Sequence, residues 1–350
     1  MNMAIRQPQL KSPPYLLCDW LELKALASRQ GSFRLGALRR LWDISRESEG
    51  SDPEGRTDRE DDTDVDGVSG YDDEAFIDSI SDEIGDRAQA LGSSYPFRLT
   101  IGNALQVVGP PNDGGYTYLF CLLLTHANGA DLLSGAWYPR VDNGVRDLFQ
   151  GCSTVAAAAE VQGCAISFGW PRPNQNPPFL QRLREVYALF GEGVVVPQPR
   201  PGVSPCPKDE EIDVIAWRPR PDSSPGTTYM LAQVASGNNW EGKPIKGAPI
   251  ENFHRNWFQP PPPSQALASI FIPHAVPPVG IEGTRRERLD AITARYGTII
   301  DRMRLPRLTQ DGSSLAREAR PALVIERVGS LDAIGHWVNE QLHELHEMPP

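Results

Sequence analysis

The sequence lacks any long uninterrupted hydrophobic run. The longest candidate, residues 119–125, has the length of a single strand and falls well short of the ~20 residues that a membrane-spanning helix needs. The first residues also lack the apolar core of a secretory signal peptide. We therefore expect a cytoplasmic protein with no part embedded in a membrane.

Cysteine and basic residues are scarce as well. The 5 cysteines form no Cys-x-x-Cys pair and have no histidine partners at zinc spacing, so we expect reduced, mostly buried thiols. Lysine and arginine total 34 against 45 aspartate and glutamate, which gives a formal net charge of −11. This balance argues against indiscriminate, charge-driven binding of nucleic acid. It remains compatible with a local basic groove or a basic partner.

Size and composition are those of a globular protein. The chain has 350 residues, of which 40% are hydrophobic and 23% charged, enough for one large domain or two ordinary ones. Acidic residues are concentrated in residues 49–73, where large apolar side chains are almost absent. Because such a segment buries too little surface to offset its ordering entropy, we expect a disordered linker or an interaction loop.

Hydrophobic spacing and turn residues predict the regular elements. Helices are expected within residues 15–47 as a pair, and at 74–91, 146–162, 178–191, 284–304 and 331–346. Strands are expected at 97–108, 116–125, 212–217, 228–234 and 267–274. The N-terminal part therefore reads as a small α+β unit.

The hairpin formed by 212–217 and 228–234 carries the most informative residues. Asp213 interrupts an otherwise apolar strand, and Gln233 lies at the end of the next one. A buried carboxylate needs a compensating charge, and a divalent cation is a common one. The alternative is that Asp213 is not buried at all but lies exposed at the end of the strand, where its side chain caps a turn. Lys243 follows in the loop after Gly-Asn-Asn.

This pattern of Asp213, Gln233 and Lys243 resembles the PD-(D/E)xK, or restriction-endonuclease-like, nuclease superfamily. In that family a strand aspartate and a glutamate or glutamine on the next strand hold Mg²⁺, and a lysine two residues further helps to activate water. Ala235 stands at the lysine position here, so Lys243 would have to supply the ammonium group.

The resemblance implies an α/β fold with a restriction-endonuclease-like α/β/α core and a mixed sheet. The expected organisation is a helical segment at 1–48, an acidic disordered linker at 49–73, an α+β unit at 74–140, the nuclease core at 141–310 and a C-terminal tail with a helix at 311–350. It also implies Mg²⁺ or Mn²⁺ as cofactor, held by Asp213, Gln233 and the Val234 carbonyl.

The first core helix of the family often adds a glutamate to the metal site. Gln150 and Glu160 are the candidates here, and we take Glu160 as the metal ligand. Basic and aromatic residues around the core suggest contacts with nucleic acid, because aromatic rings stack on bases and cations meet phosphates. The residues expected to make these contacts are Arg172, Trp240, Lys246 and Arg255. The alternatives are a packed aromatic cover over the sheet edge and, for Arg172, simple exposure to solvent.

The expected function is hydrolysis of phosphodiester bonds in nucleic acid, with DNA as the expected substrate. Many members of the superfamily are gated by partner proteins in bacterial defence systems, and the same role is an expectation here. The alternative is a nuclease fold that has lost its chemistry and serves as a scaffold or recognition subunit. The absent motif lysine favours that alternative.

Overall fold

A computed structural model describes residues 5–9, 12–37, 66–129, 132–133, 139–172, 176–204, 207–208, 210–278, 283–318 and 323–347. The helices are α1 (Pro14–Ala27), α2 (Asp66–Leu91), α3 (Asp113–Gly129), α4 (Asn143–Val161), α5 (Phe179–Phe190), α6 (Ala248–Trp257), α7 (Arg285–Tyr296), α8 (Leu305–Arg317) and α9 (Ser330–Glu347). The strands are β1 (Ser32–Arg34), β2 (Phe97–Leu99), β3 (Ala104–Val107), β4 (Cys164–Ser167), β5 (Val214–Trp217), β6 (Tyr229–Val234), β7 (Leu267–Phe271) and β8 (Thr298–Ile300).

The larger sheet has its strands in chain order, β4-β5-β6-β7-β8. Strands β4, β5 and β6 are antiparallel neighbours, whereas β7 pairs parallel to β6 and β8 parallel to β7. A parallel neighbour requires a crossover connection, and α6 and α7 supply the two that this sheet needs. The sheet is therefore mixed, as the sequence predicts.

Helices cover both faces of this sheet, which confirms the α/β class. Because successive side chains of a strand point to opposite faces, Ala216 and Ala232 pack with α3 and α4, whereas Ile215 and Leu231 pack on the other side. That second side is filled by aromatic residues of α5 and α6, among them Phe179, Phe190, Phe253 and Trp257. Ile299 of β8 packs with Tyr296 at the end of α7.

A smaller antiparallel sheet, ordered β1-β3-β2, contacts α1 and α2 near the N-terminus. The predicted strand at 116–125 is wrong, because this segment lies within helix α3. Residues from Tyr118 to Leu124 are each at most 1% exposed, since α8 and α9 pack around them. A helix buried on all sides is apolar at every position, and it therefore shows the pattern of a central strand.

Several predicted boundaries also change. Helix α2 begins at Asp66, so residues 66–73 are helical rather than disordered, while residues 49–65 of the predicted linker lie outside the described part. Residues 32–34, within the predicted helix pair, form strand β1, and residues 38–47 are likewise outside the described part. The helix predicted at 284–304 ends at Tyr296, because Gly297 has a φ of 78° and leads into β8.

The single strand predicted at 97–108 is two strands, β2 and β3, which pair antiparallel. The remaining predicted helices and strands are confirmed, and the sequence missed β1, β4, β8, α6 and α8. One buried cluster runs from Ile5 to Leu345 and includes residues from the segments 74–140, 141–310 and 311–350. Cys18, Cys121, Cys152 and Cys164 are free and buried, as expected, whereas Cys206 lies outside the described residues. Within the described part of the chain, no helix is long and apolar enough to cross a membrane.

Helix α1 carries a buried carboxylate, Asp19, that contacts two guanidinium groups and an imidazole from three other parts of the chain. Asp19 Oδ1 lies 2.6 Å from Nη1 of Arg87 and 2.6 Å from Nη2 of Arg302. Asp19 Oδ2 lies 2.9 Å from Nε2 of His126. Burial by itself raises the pKa of Asp19, but Arg302 and Arg87 outweigh this effect and hold the pKa far below its usual range. We call Asp19, Arg87, His126 and Arg302 the Asp19 cluster.

Candidate functional site

The candidate site lies at the edge of the larger sheet where β4 ends, β5 begins and β6 ends. Val214, the first residue of β5, is opposite both Ser167, which ends β4, and Ala232 near the end of β6. Asp213 directly precedes Val214 and is half-buried at this edge. The carboxyl ends of the parallel strands β7 and β8 lie along the same edge. We call it the Asp213 edge.

Asp213 is held by backbone groups on both neighbouring strands. Its carbonyl accepts hydrogen bonds from the N–H groups of Phe168 and Gly169, at 2.7 and 2.9 Å. Its N–H donates to the Ala232 carbonyl at 2.8 Å, and its Oδ2 accepts from the Val234 N–H at 2.8 Å. The main chain of Asp213 is thus fixed between the two neighbouring strands, and its half-buried carboxylate bonds to the backbone of β6 instead of being an exposed cap of a turn.

Glycine at position 169 allows a close approach at this point. A Cβ on Gly169 would lie 2.4 Å from Asp213 Oδ1 and 2.7 Å from Nε2 of Gln150. Any larger side chain there would collide with both groups. The amide of Gln150, from the middle of α4, therefore lies beside the Asp213 carboxylate, and its Nε2 donates to Ser167 Oγ at 2.8 Å.

Gln233 lies within the Asp213 edge and is 8% exposed. Its Oε1 is buried and has no hydrogen-bond partner in the described part of the chain. An unpaired buried carbonyl is costly, by about 1–3 kcal/mol, so such atoms in native proteins call for an explanation. Gln233 is opposite Asp213 in the register of the hairpin, and carboxylate and amide oxygens are ligands that a hard cation prefers.

The lysine position of the resemblance is occupied by Ala235, which is fully buried. It packs in an apolar cluster with Trp240, Ile270 and Ile272, so this position has no room for a charged side chain. Lys243 is half-buried, and its N–H donates to the Trp240 carbonyl at 2.9 Å, which ends a short 3₁₀ helix. Its role in the chemistry stays a prediction.

Glu160 does not belong to this edge, which corrects its assignment as a metal ligand. It is exposed near the end of α4, where the next residue, Val161, accepts a hydrogen bond from Nε of Arg218 at 3.2 Å. Arg218 follows β5 at the end opposite to Asp213, roughly 15 Å away at the rise of a strand. The other candidate on α4, Gln150, is the residue that reaches the site.

Two residues expected to contact nucleic acid are buried instead. Arg172 is 6% exposed, and its guanidinium lies 5.5 Å from the ring of Phe168 and 5.4 Å from that of Phe179. Trp240 is 8% exposed and packs 5.4 Å from the ring of Tyr296. We therefore assign both residues a packing role in place of the phosphate and base contacts expected from the sequence.

Lys246 and Arg255 are exposed, as a contact with nucleic acid requires. Lys246 lines a separate groove of about 520 Å³, together with Leu267 and Thr298. These two residues begin β7 and β8, and Leu267 is opposite Met230, at the end of β6 far from Gln233. The groove therefore lies away from the Asp213 edge.

His274 follows β7 near the Asp213 edge. Its ring bonds to the backbone of Gly237, while its Nε2 is buried without a hydrogen-bond partner in the described part of the chain. Burial and then the charge of Arg302 lower the pKa of His274 to about 4, so the ring is neutral at pH 7. No pattern in the sequence singles out this residue as part of a site.

Residues of the C-terminal segment contact strand β4, which borders the site. The carboxylate of Glu326 accepts from the Ser167 N–H at 3.1 Å and lies 2.6 Å from Nη2 of Arg182. Ile325 bridges Ala165 in parallel, which covers the open edge of β4. Neither contact could be predicted, because β4 was missed and more than 140 residues separate Arg182 from Glu326.

The donor set at the Asp213 edge fits Mg²⁺ or Mn²⁺ bound with few protein ligands. Asp213 supplies one carboxylate and Gln233 an unsatisfied amide oxygen. Mg²⁺ commonly binds through one or two carboxylates and keeps several waters or substrate phosphates. The described residues contain no group of three or more histidine, cysteine, aspartate or glutamate side chains able to hold a metal.

No match to this chain is found among known protein families, curated proteins or solved structures. The geometry of the site must therefore carry any functional conclusion.

Proposed function

We propose that this chain is a metal-dependent nuclease that hydrolyses phosphodiester bonds, with DNA as the expected substrate and Mg²⁺ or Mn²⁺ as cofactor. The observation that carries the proposal is the buried, unpaired Oε1 of Gln233 within the Asp213 edge. A cation bound beside Asp213 would satisfy this oxygen.

The order of elements supports the finer fold assignment, a restriction-endonuclease-like core. Helix α4, strand β4, the hairpin β5–β6, helix α6 and the parallel strand β7 follow one another along the chain, with α5 between β4 and β5. This order is similar to the α/β/α core that the PD-(D/E)xK resemblance implies. Asp213 and Gln233 occupy neighbouring strands of it, as that resemblance requires.

Each residue at the edge has a defined task in this proposal. A bound Mg²⁺ would stabilise charge on the scissile phosphate and lower the pKa of the attacking water. Asp213 and Gln233, with the Val234 carbonyl, would hold the cation, and the hydrogen bond to Ser167 would orient Gln150 beside them. Lys243 would neutralise the phosphate or orient the water.

The second candidate is a catalytically inactive nuclease fold that acts as a scaffold or recognition subunit. The apolar burial of Ala235 at the lysine position favours it. Both candidates are compatible with protein partner subunits in the cytoplasm, and the first with a gated effector of a bacterial defence system.

The deciding experiment is cleavage of supercoiled plasmid, single-stranded DNA and RNA in Mg²⁺ or Mn²⁺. Asp213→Asn keeps an acceptor for the Val234 N–H but removes the charge, so we expect a loss of more than about 100-fold in a folded protein. Gln233→Ala and Lys243→Ala should also lose activity. Asp222→Asn, in the exposed hairpin turn, and Arg29→Ala, after α1, are the matched controls.

Metal-dependent cleavage by the wild type that persists in Asp213→Asn would contradict the site. If the wild type cleaves none of the three substrates, alone or with co-purifying proteins, the scaffold function takes its place.

A further inference from the structure

Trp170 is a large aromatic residue left open to solvent beside the Asp213 edge. It is 49% exposed, whereas Trp20, Trp217 and Trp257 are at most 2% exposed. It directly follows Gly169, whose backbone abuts the Asp213 carboxylate and donates to the Asp213 carbonyl. Tryptophan is enriched at interfaces, because its large ring contributes apolar contact area while its N–H stays free to bond.

A lysine accompanies this ring. Lys208 Nζ lies 5.3 Å from the centroid of the Trp170 ring, within the range of a cation–π contact. Lys208 belongs to the loop that leads into β5, only five positions before Asp213. The two loops that meet at the site therefore bring an aromatic plane and a cation to the same place.

Such a pair matches the chemistry of a single strand of nucleic acid. An unpaired base has an open face for stacking, while the adjacent phosphate attracts a cation. A paired base does not offer this face, because its neighbours in the duplex cover it. Close to Lys208 in the sequence are two acidic residues, Glu210 and Glu211, which weaken the attraction of this loop for phosphate. Stacking on the Trp170 ring must therefore supply much of the affinity.

We propose that Trp170 and Lys208 bind single-stranded DNA at the rim of the Asp213 edge. Trp170 stacks on one unpaired base, and Lys208 contacts a neighbouring phosphate. The inference rests on the proposed nuclease function, because this contact would hold the strand whose scissile phosphate reaches Asp213.

The test measures binding without cleavage. In an Asp213→Asn background, the dissociation constant of a fluorescein-labelled oligothymidylate of about 20 nucleotides, longer than one strand-binding site, is measured by fluorescence anisotropy in Mg²⁺. We expect Trp170→Ala and Trp170→Leu to weaken binding about tenfold, and Trp170→Phe to retain most of the affinity. Ile101→Ala, at a fully exposed apolar residue between β2 and β3, is the matched control.

Lys208→Gln gives an independent readout. It should lower the slope of log affinity against log salt by about 0.7, the contribution of one phosphate contact on a single strand. Circular dichroism and the melting temperature confirm that each variant is folded.

The outcomes separate the inference from the function on which it rests. Equal affinity of the Trp170→Ala and Ile101→Ala proteins, or full affinity in Trp170→Leu, would overturn the stacking contact and leave the nuclease proposal standing. An absence of both binding and metal-dependent cleavage would overturn the two together.

Discussion

Asp213 bonds to the two residues that flank Gln233. Its N–H donates to the Ala232 carbonyl and its Oδ2 accepts from the Val234 N–H, both at 2.8 Å. Gln233 is therefore held in position by its neighbours, while its own Oε1 has no partner in the described part of the chain. Because the backbone positions this oxygen, a change of the Gln233 side chain should leave the sheet intact.

Replacing Gln233 by Met should stabilise the protein and remove its response to metal. Met keeps the length of the side chain and removes an unpaired buried carbonyl, so the free energy of unfolding should rise by about 1 kcal/mol. In the wild type, Mg²⁺ at about 100 times its dissociation constant should add about 2.7 kcal/mol, and this gain should vanish in Gln233→Met. Guanidinium unfolding with and without Mg²⁺ measures both effects.

Gln181→Met, at an exposed position of α5, is the control for that substitution and should keep the full response to Mg²⁺. A Gln233→Met protein that Mg²⁺ stabilises as much as the wild type would show that Oε1 is not a ligand.

Restoring the motif lysine by Ala235→Lys should unfold the site rather than activate it. The side chain would enter the apolar cluster with Trp240 and Ile270 and leave an ammonium group without a partner. We expect a loss of more than about 3 kcal/mol in the free energy of unfolding. Ala90→Lys, on the exposed side of α2, should change it by less than about 0.5 kcal/mol. A stable Ala235→Lys protein with increased cleavage would refute this expectation.

Removing the Asp19 charge should destabilise the protein strongly. Asp19→Asn leaves the buried guanidinium groups of Arg87 and Arg302 without their shared carboxylate, at a cost of about 3–5 kcal/mol. Asp290→Asn breaks an exposed pair with Arg286 and should cost less than about 1 kcal/mol. Denaturant unfolding measures the free energy of unfolding of both variants. Similar decreases in the two variants would mean that the Asp19 cluster contributes little to stability.

His274 should make stability depend on pH between about 4 and 6.5. The folded state holds its pKa at about 4, below the ordinary value of 6.5, so the unfolded state binds more protons in this interval. Stability is therefore complete above pH 6.5 and falls as the pH drops towards 4, by up to about 1.4 kcal/mol per pH unit. His274→Gln should flatten this part of the unfolding profile.

His336→Gln, on the exposed side of α9, is the matched control and should leave the slope unchanged. An unchanged slope in His274→Gln would assign the pH dependence to other groups, such as His254, whose pKa burial also lowers.

The hairpin was predictable because turn residues at 218–227 separate two apolar runs, and the sheet forms around it. Helix α3 could not be predicted from the sequence. It is buried on every side, so its apolar residues lack the helical spacing that distinguishes a helix from a central strand. The choice of Glu160 over Gln150 failed for another reason. Both lie on α4, and the sequence does not show which end of a helix meets which end of a sheet.

The rim of the site was missed because its members come from separate loops. Trp170 and Lys208 lie 38 positions apart, and no periodic pattern links them. The signal that was available is Gly169, since a glycine directly after an apolar strand often marks a close approach of backbone to another group.

The Asp19 cluster bears on how the chain is made. Arg302 contacts Asp19 across a sequence separation of 283 residues. During synthesis, α1 leaves the ribosome long before Arg302, whose guanidinium completes the charge pairing of Asp19. Nascent chains that stop before residue 302 would therefore carry the Asp19 carboxylate without one of its two guanidinium partners. Helix α1 would therefore reach its native charge pairing only after α7 and β8, which precede Arg302, have been made.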